Sequence, residues 1–269
     1  MCASKVGGVV RLSEIENYLE SEFPRVDAAD WDNVGLIFGR FNKEVGTVMT
    51  CLTVTPEVVA EARRENVDLI VSHHPFPFRK MNRLTSGFWE GKMVLDLAGA
   101  DICVYSPHTA FDSAPRGINQ MTLEGLGLSD IQPLIPPENR QIHGSGRFGQ
   151  FSEGVRFSQF VENVKAFYGL RHLKCVPTDK MVKRVAVACG AGGDFMAAAK
   201  TRKCDVFITG ELSFHACISA KNQRLGIVLT GHYVSERFAV EKLANQISQK
   251  FSDVAVFSSK AEQNPVSWW

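Results

Sequence analysis

The sequence predicts an α/β protein made of two similar three-layer lobes. Apolar strand-like runs alternate with helical patterns in the order β-α-β-α-β, which is typical of a parallel sheet. A segment rich in Pro, Gly, Ser and polar residues interrupts this order at 129–154, and the order then returns. The chain has 269 residues, 45% of them hydrophobic, which is enough for two modest cores.

The elements follow from the spacing of apolar residues and from cap and turn residues. Ser13 is a plausible helix cap, and Pro56 is suited to the first position of a helix. In the first lobe we predict helix 12–22, strand 45–55, helix 56–66, strand 67–72, helix 92–100 and strand 101–106. In the second we predict helix 157–169, strand 182–190, helix 194–203, strand 204–216, helix 218–226 and strand 227–236. The expected division is 1–128 for the first lobe, 129–154 for the connection and 155–269 for the second lobe.

The two lobes also match in sequence. "VDLIVSHH" aligns with "CDVFITGE", and "CVYSPHTAFD" aligns with "IVLTGHYVSE". The second alignment preserves a histidine followed by an acid four residues later, His108 with Asp112 and His232 with Glu236. Two copies of one order of elements indicate an internal duplication rather than a solenoid.

Composition narrows the class of protein. The formal net charge is +1, which gives no electrostatic reason to expect nucleic acid or an anionic membrane as a partner. The start, "MCASKVGGVV", lacks the apolar core of a signal peptide, and no run of about 20 apolar residues occurs. The seven cysteines form no C-x-x-C pair and suit free thiols in a reducing compartment. We therefore expect a soluble cytoplasmic protein.

Histidines and acids collect at the carboxyl ends of the predicted strands, where open parallel sheets bind ligands. These residues are His73, His74, His108, Asp112, Glu211, His215, His232 and Glu236. Histidine with carboxylate suits zinc, iron, manganese or nickel. The four-residue spacing places each histidine and its acid on one face of a helix.

The adjacent pair His73 and His74 favours two metal ions over one, because neighbouring side chains diverge and each can bind a different ion.

Taken singly, each of the histidines and acids at the strand ends has a structural explanation as a loop, turn or cap residue. Asp32 and Asn33, before Gly35, form a good turn sequence. "CGAGGD" and "GSGRFG" are treated as turns, since neither is a complete nucleotide-binding fingerprint. His143 and His172 are assigned no role.

The chain resembles the NIF-three-like family, also known as dinuclear metal-centre proteins or type two homologues of GTP cyclohydrolase one. The matching stretches, from 30 to 266, are "DWDNVGLIFG", "DLIVSHHPFPF", "SPHTAFD", "GSGRFG", "RVAVACGAGG", "DVFITGELSFHA", "GHYVSER" and "NPV". The resemblance implies two α/β lobes with a two-metal site between them, and ring-like oligomers, commonly hexamers. It implies the metal ligands His73, His74, Asp112, His232 and Glu236. It places His108, Asp32, Asn33, Glu211 and His215 near the site.

These observations together predict a metal-dependent hydrolase that activates water against a small polar or nucleotide-like substrate. The family's name makes a GTP cyclohydrolase-type reaction a candidate. The alternative is a non-enzymatic role in metal storage or delivery, or as a protein-interaction partner. A metal that only ties the lobes together is a third possibility. Longer family members carry an extra inserted domain, and the short connection predicted here has no counterpart of it.

Overall fold

The computed structural model describes residues 8–138 and 140–267. Cys2, one of the predicted free thiols, lies outside these residues; the other six cysteines are free. The strands are β1 Val10–Arg11, β2 Gly35–Phe38, β3 Glu44–Val45, β4 Thr47–Cys51, β5 Leu69–Ser72, β6 Cys103–Ser106, β7 Ser129–Ile135, β8 Ser145–Val155, β9 Lys174–Val176, β10 Val182–Ala188, β11 Val206–Thr209, β12 Gly226–Leu229 and β13 Ala255–Ser258. The α-helices are α1 Leu12–Glu22, α2 Pro56–Arg64, α3 Trp89–Gly99, α4 His108–Ser113, α5 Ile118–Gly125, α6 Phe157–Tyr168, α7 Met196–Thr201, α8 Phe214–Asn222 and α9 His232–Lys250.

The chain divides into two compact units. Unit 1 comprises Met1–Ala110 and Val240–Trp269, and unit 2 comprises Phe111–Ala239. This division differs from the predicted one at both boundaries. The last residues of the chain belong to unit 1 because β13 pairs in parallel with β4.

Unit 1 contains a five-stranded sheet in the order β13-β4-β5-β6-β2. Strands β4, β5 and β6 are parallel neighbours, and β2 lies antiparallel to β6. Alternate strand residues such as Met49, Ile70 and Val104 form one core with apolar residues of α2 and α3. Residues of the opposite parity, such as Leu69 and Tyr105, are also buried. Both faces of this sheet are therefore covered, as period-two side-chain alternation in a buried parallel sheet requires.

Unit 2 contains a six-stranded sheet in the order β7-β8-β10-β11-β12-β9. Strands β10, β11 and β12 are parallel, and their alternate residues enter two separate cores. One core includes Val185 and Ile208 with apolar residues of α5 and α6. The other includes Ala186 and Phe207 with residues of α7 and α8. Unit 2 is thus a sheet between two helical layers.

The two sheets share part of their topology. Each has three consecutive parallel strands, and each has an antiparallel strand beside the third, β2 beside β6 and β9 beside β12. This shared order agrees with the α/β fold and with two similar lobes. Among the described residues, no helix is both long and apolar enough to cross a bilayer.

The predicted connection at 129–154 is not a linker, because β7 and β8 form an antiparallel hairpin in the unit 2 sheet. Its glycines serve close approaches of the chain. A Cβ at Gly144, whose φ is +67°, would lie 2.4 Å from the carbonyl oxygen of Ile135.

Two of the strands predicted for the second lobe extend well past the ends of the strands in the structure. The strand predicted to end at 216 ends at Thr209, and the strand predicted to end at 236 ends at Leu229, where helix α9 soon follows.

Candidate metal centre

His73 and His74 directly follow β5 at the carboxyl end of the parallel strands of unit 1. The backbone N–H of His73 donates to the carbonyl of Cys51 at 2.9 Å, and that of His74 donates to the carbonyl of Leu52 at 2.8 Å. The hydroxyls of Ser106 and Ser72 donate to the carbonyls of His73 and His74, respectively. The backbone of the doublet is therefore fixed by the strands on either side of it.

Three imidazoles of unit 1 form a cluster, which we call the histidine group: His73, His74 and His108. The ring centroids of His73 lie 5.1 Å from those of both His74 and His108, and those of His74 and His108 are 5.4 Å apart. One nitrogen from each ring lies within 4.8 Å of the others. The rings of the adjacent His73 and His74 are tilted by 51° but remain in the same group.

Two rings of the histidine group are held through their Nδ1 atoms. Nδ1 of His74 lies 2.8 Å from the hydroxyl oxygen of Thr53, and Nδ1 of His108 lies 2.8 Å from Oδ1 of Asp32. A ring engaged in this way can coordinate a metal only through Nε2. Metal-binding histidines almost always make such a bond with their other nitrogen, which fixes the ring's tautomer and orientation.

Asp32 is a buried, ionised acceptor beside this group. Its side chain is 1% exposed, and it accepts hydrogen bonds from His108 and from the backbone N–H and hydroxyl of Thr109. Burial raises the pKa of the Asp32 carboxyl, but the hydrogen bonds from His108 and Thr109 lower it further, so the net pKa lies below its ordinary value. The negative charge favours a proton on Nδ1 of His108.

The backbone at His108 adopts a φ of +25°, which is uncommon for a residue other than glycine. His108 is the first residue of α4, directly after the loop that leaves β6. Such strain persists where the surrounding contacts define the geometry, and it clusters at functional sites. Here the bond to Asp32 and the contact with His73 supply those contacts.

In unit 2, His232 and Glu236 lie on the first turns of α9, after β12. Nδ1 of His232 lies 2.9 Å from Oε1 of Glu211, and Nε2 lies 3.3 Å from Oε2 of Glu236. The hydrogen bond with Glu236 raises the pKa of His232 to about 9, with a further contribution from Glu211 against the opposing effect of burial. The imidazole is therefore placed between two carboxylates.

Gly190 provides the space into which these two side chains reach. Its φ is +62°, and a Cβ at this position would lie 2.4 Å from Oε1 of Glu236 and 3.2 Å from Nε2 of His232. Its backbone N–H donates to the hydroxyl of Ser235 at 2.9 Å. Glycine is required here because the backbone closely approaches the side chains of both His232 and Glu236.

Asp112 belongs to a buried hydrogen-bond network in unit 2. The thiol of Cys189 donates to Oδ1 of Asp112 at 3.2 Å. Asn119 donates to the carbonyl of Asp112 at 3.1 Å and accepts from the N–H of Cys189 at 2.9 Å. Burial, with the carboxylates of Asp112 and Glu236, raises the pKa of the Cys189 thiol well above its ordinary value, so it remains a protonated donor.

The donors in each unit fit a divalent metal. The histidine group offers clustered nitrogen ligands, two of them with the oriented Nδ1 atoms expected of metal-binding histidines. In unit 2, an imidazole and a carboxylate meet beside a position that only glycine can occupy. This nitrogen and oxygen set suits zinc and the other first-row metals and does not select one of them.

Of the remaining predicted residues, Glu211 and Asn33 contact His232 and Asp32, respectively, whereas the ring contact of His215 is with Phe214. His215 is exposed on α8 with its ring 5.9 Å from that of Phe214, and Glu211 is exposed while it contacts His232. Asn33 is exposed, and its backbone N–H donates to Asp32. Sequence reasoning missed the supporting residues, which are Thr53, Thr109, Asn119 and Cys189. Only Thr109 and Cys189 carried a signal, since each lies beside a motif at the end of a strand.

Comparison with known proteins decides the family. A sequence model of the family described as Duf34/NIF3 (NGG1p interacting factor 3) matches residues 10–265. The chain belongs to the Duf34/NIF3 family. A "GTP cyclohydrolase 1 type 2 homolog" of Lactococcus lactis is 32% identical over 95% of this chain and 98% of its own length. A "Protein NIF3 homolog" of Schizosaccharomyces pombe is 28% identical over 95% of this chain and 97% of its own length.

Solved structures of Duf34/NIF3 proteins share the fold. A Bacillus cereus protein related to NIF3 superposes with a TM-score of 0.88 at 22% identity. The match covers 97% of this chain and 99% of that protein. The predicted family and the predicted α/β fold are thereby confirmed.

Proposed function

We propose that this Duf34/NIF3 chain is a dinuclear metal-dependent hydrolase acting on a small polar or nucleotide-like substrate. The observation that carries the proposal is the histidine group, in which His74 and His108 are oriented through Nδ1 by Thr53 and Asp32. Histidines with a purely structural role would not need to place their rings in one cluster. Nor would they need hydrogen bonds at Nδ1 that leave Nε2 for a metal. The proposed ligands of two ions are His73, His74, Asp112, His232 and Glu236, the set that the family resemblance implies.

Five protein ligands for two divalent ions leave coordination positions for water and substrate, which is typical of catalytic rather than structural sites. When bound, the ions supply Lewis-acid chemistry and make a water nucleophile available near neutral pH. These ligands do not select among Zn, Fe, Mn and Ni, because the same nitrogen and oxygen donors suit each of these metals.

The protein's own residues orient the site. Asp32, ionised and buried, keeps the proton of His108 on Nδ1 and so fixes the ring of His108 beside those of His73 and His74. Glu211 orients the ring of His232 through its contact with Nδ1 of that ring. Cys189 and Asn119 position the carboxylate and the carbonyl of Asp112. These contacts reduce the reorganisation that substrate binding would otherwise require.

Turnover by the metal-loaded protein tests the proposal. The substrate panel contains nucleotides including GTP, phosphodiesters and cyclic amides, since the relatives' name makes a GTP cyclohydrolase-type reaction a candidate. We expect turnover of at least one class, its loss after chelation, and its loss in His74→Ala with the fold retained by circular dichroism. His172→Ala, an exposed histidine outside the proposed site, is the matched control.

Two outcomes would contradict the hydrolase proposal. Absence of turnover on the whole panel, with ready transfer of metal to an apo-acceptor, would support storage or delivery instead. A large loss of thermal stability on chelation, with every coordination position filled by protein, would support a structural metal.

We further propose that the chain forms a homo-oligomer, with the hexamer that the family resemblance implies as the expected state. Light scattering during size-exclusion chromatography measures the mass directly. A single species at the mass of one chain, 29.8 kDa, at micromolar concentration would contradict this proposal.

A further inference from the structure

Two exposed aromatic side chains flank the histidine group. Trp31 is 69% exposed and Phe78 is 59% exposed. Their ring centroids lie 5.9 Å and 6.1 Å, respectively, from that of His108, both in edge-to-face geometry. His108 itself is 8% exposed. Large aromatic rings therefore stand in solvent directly beside a buried imidazole of the candidate site.

Both aromatics are attached to firmly anchored backbone. Trp31 precedes Asp32, whose buried carboxylate accepts bonds from His108 and Thr109. Phe78 follows Phe76 by two residues, and Phe76 lies in the core of unit 1. Exposed rings on anchored loops expose apolar area without gaining core contacts, and such rings are typical of binding surfaces. More than half of each of these side chains is open to contact with a planar ring.

The segment that carries Phe78 is also strongly basic. Arg79, Lys80 and Arg83 are exposed, and no aspartate or glutamate occurs between residues 72 and 89. The chain as a whole has a net charge of only +1, so this is a local concentration of positive charge. Such a cluster attracts an anionic group on a ligand.

We propose that the histidine group binds a small ligand that combines a planar aromatic or heteroaromatic ring with an anionic group. The ring stacks on Trp31 and Phe78, and the anion lies beside Arg79, Lys80 and Arg83. This inference rests on the proposed function, since it assigns the substrate class of the same site. It adds that ring and anion are recognised by different side chains, so their contributions to affinity separate by mutation.

Calorimetric binding to the zinc-loaded full chain tests this, with three probes: AMP has ring and phosphate, adenosine lacks the phosphate, and ribose 5-phosphate lacks the ring. We expect AMP to bind at least tenfold more tightly than either fragment. Trp31→Ala and Phe78→Ala should each weaken AMP and adenosine by about tenfold, the usual size of a lost base–aromatic stack. Neither should change binding of ribose 5-phosphate. Trp31→Phe should restore most of the affinity.

The matched control is Trp89→Ala, which removes another exposed tryptophan, 57% exposed, at the start of α3. It should leave all three affinities unchanged. The double variant Arg79→Gln/Arg83→Gln should weaken AMP and ribose 5-phosphate but not adenosine, and increasingly so at low salt. Equal affinities for AMP and ribose 5-phosphate, or identical effects of Trp31→Ala and Trp89→Ala, would overturn the inference.

Metal content of the same samples separates this inference from the proposed function. Ring-dependent binding by protein that takes up no zinc, iron, manganese or nickel would refute the metal-dependent hydrolase and retain the recognition of ring and anion. Turnover by protein with stoichiometric zinc, but with an affinity for AMP that does not depend on its ring, would retain the hydrolase. It would refute the recognition of ring and anion.

Discussion

Oδ1 of Asp32 lies 2.8 Å from Nδ1 of His108, and the two residues are 76 positions apart in the chain. The bond joins the loop before β2 to the first residue of α4. Asp32 therefore supports the histidine group, although the sequence Asp32-Asn33 is by itself typical of a turn. The buried carboxylate has a lowered pKa, so it is ionised at neutral pH and holds the imidazole in one tautomer.

Asp32→Asn should therefore weaken metal binding. The amide keeps the size of the side chain but loses the charge that fixes the proton of His108 on Nδ1. We expect metal affinity to fall by about 10- to 100-fold, the usual effect of losing an outer contact that orients the residues of a metal site. Competition with a chromophoric chelator measures the affinity. Asp30→Asn, an exposed neighbour, is the control, and equal affinities in both variants would refute this role.

Gly190→Ala should disturb the His232 and Glu236 pair. The added methyl group would lie 2.4 Å from Oε1 of Glu236, so the carboxylate must move. The control is Gly127→Ala, because Gly127 also has a positive φ, +78°, but no atom lies within 4 Å of its added Cβ. Both variants carry a backbone cost of about 1–2 kcal/mol, but only Gly190→Ala should lose metal. Equal metal content in the two variants would contradict the proposed position of these ligands.

Asn119→Ala should destabilise the chain. It removes the donor to the carbonyl of Asp112 and the acceptor for the N–H of Cys189, both in a buried network. Buried groups left without a partner cost about 1–3 kcal/mol each. Urea unfolding followed by circular dichroism measures the loss. Asn222→Ala, an exposed position at the end of α8, should change the free energy of unfolding by less than about 0.5 kcal/mol.

Glu61 makes the stability of unit 1 sensitive to acid. Its buried carboxylate accepts hydrogen bonds from the Ser259 hydroxyl and from the N–H groups of Lys260 and Ala261. Burial raises the pKa of Glu61, but these bonds lower it further, so the net pKa is below its ordinary value. A lowered folded-state pKa contributes stability above the unfolded-state pKa, and that stability is lost as pH falls through the folded-state value.

Glu61→Gln should accordingly cost about 1–3 kcal/mol at pH 7. The difference from the original chain should shrink as pH falls below about 4, where the carboxyl of the original chain takes up a proton. Urea unfolding at pH 7 and at about pH 3 measures both values. Glu65→Gln, at an exposed position just after α2, is the control. A difference that does not depend on pH would show that the charge of Glu61 has no part in the effect.

The parallel strands and the residues at their ends could be predicted from sequence because both depend on local patterns. Short apolar runs alternating with helices define β4 to β6 and β10 to β12, and His73 and His74 directly follow one such run. Strand ends are where open sheets bind ligands. The pair of His232 and Glu236 could be found for the same reason, whereas His108 contacts Asp32 instead of Asp112.

The missed features depend on contacts distant in sequence. The pairing of β13 with β4 joins Ala255 to Thr47, and no local pattern indicates it. The hairpin of β7 and β8 contains the Gly, Pro and Ser residues that typically mark a linker, but here they permit close packing. Cys189 and Asn119 meet across 70 positions, and neither residue type by itself predicts that contact.

The proposed metal centre is tested by elemental analysis of the chain purified without added metal, followed by titration with divalent ions. We expect two ions per chain at saturation. In His74→Ala one position should empty before the other, and His172→Ala should bind metal like the original chain. Content near zero after gentle purification, with no uptake on titration, would contradict the metal centre and the hydrolase proposal that depends on it.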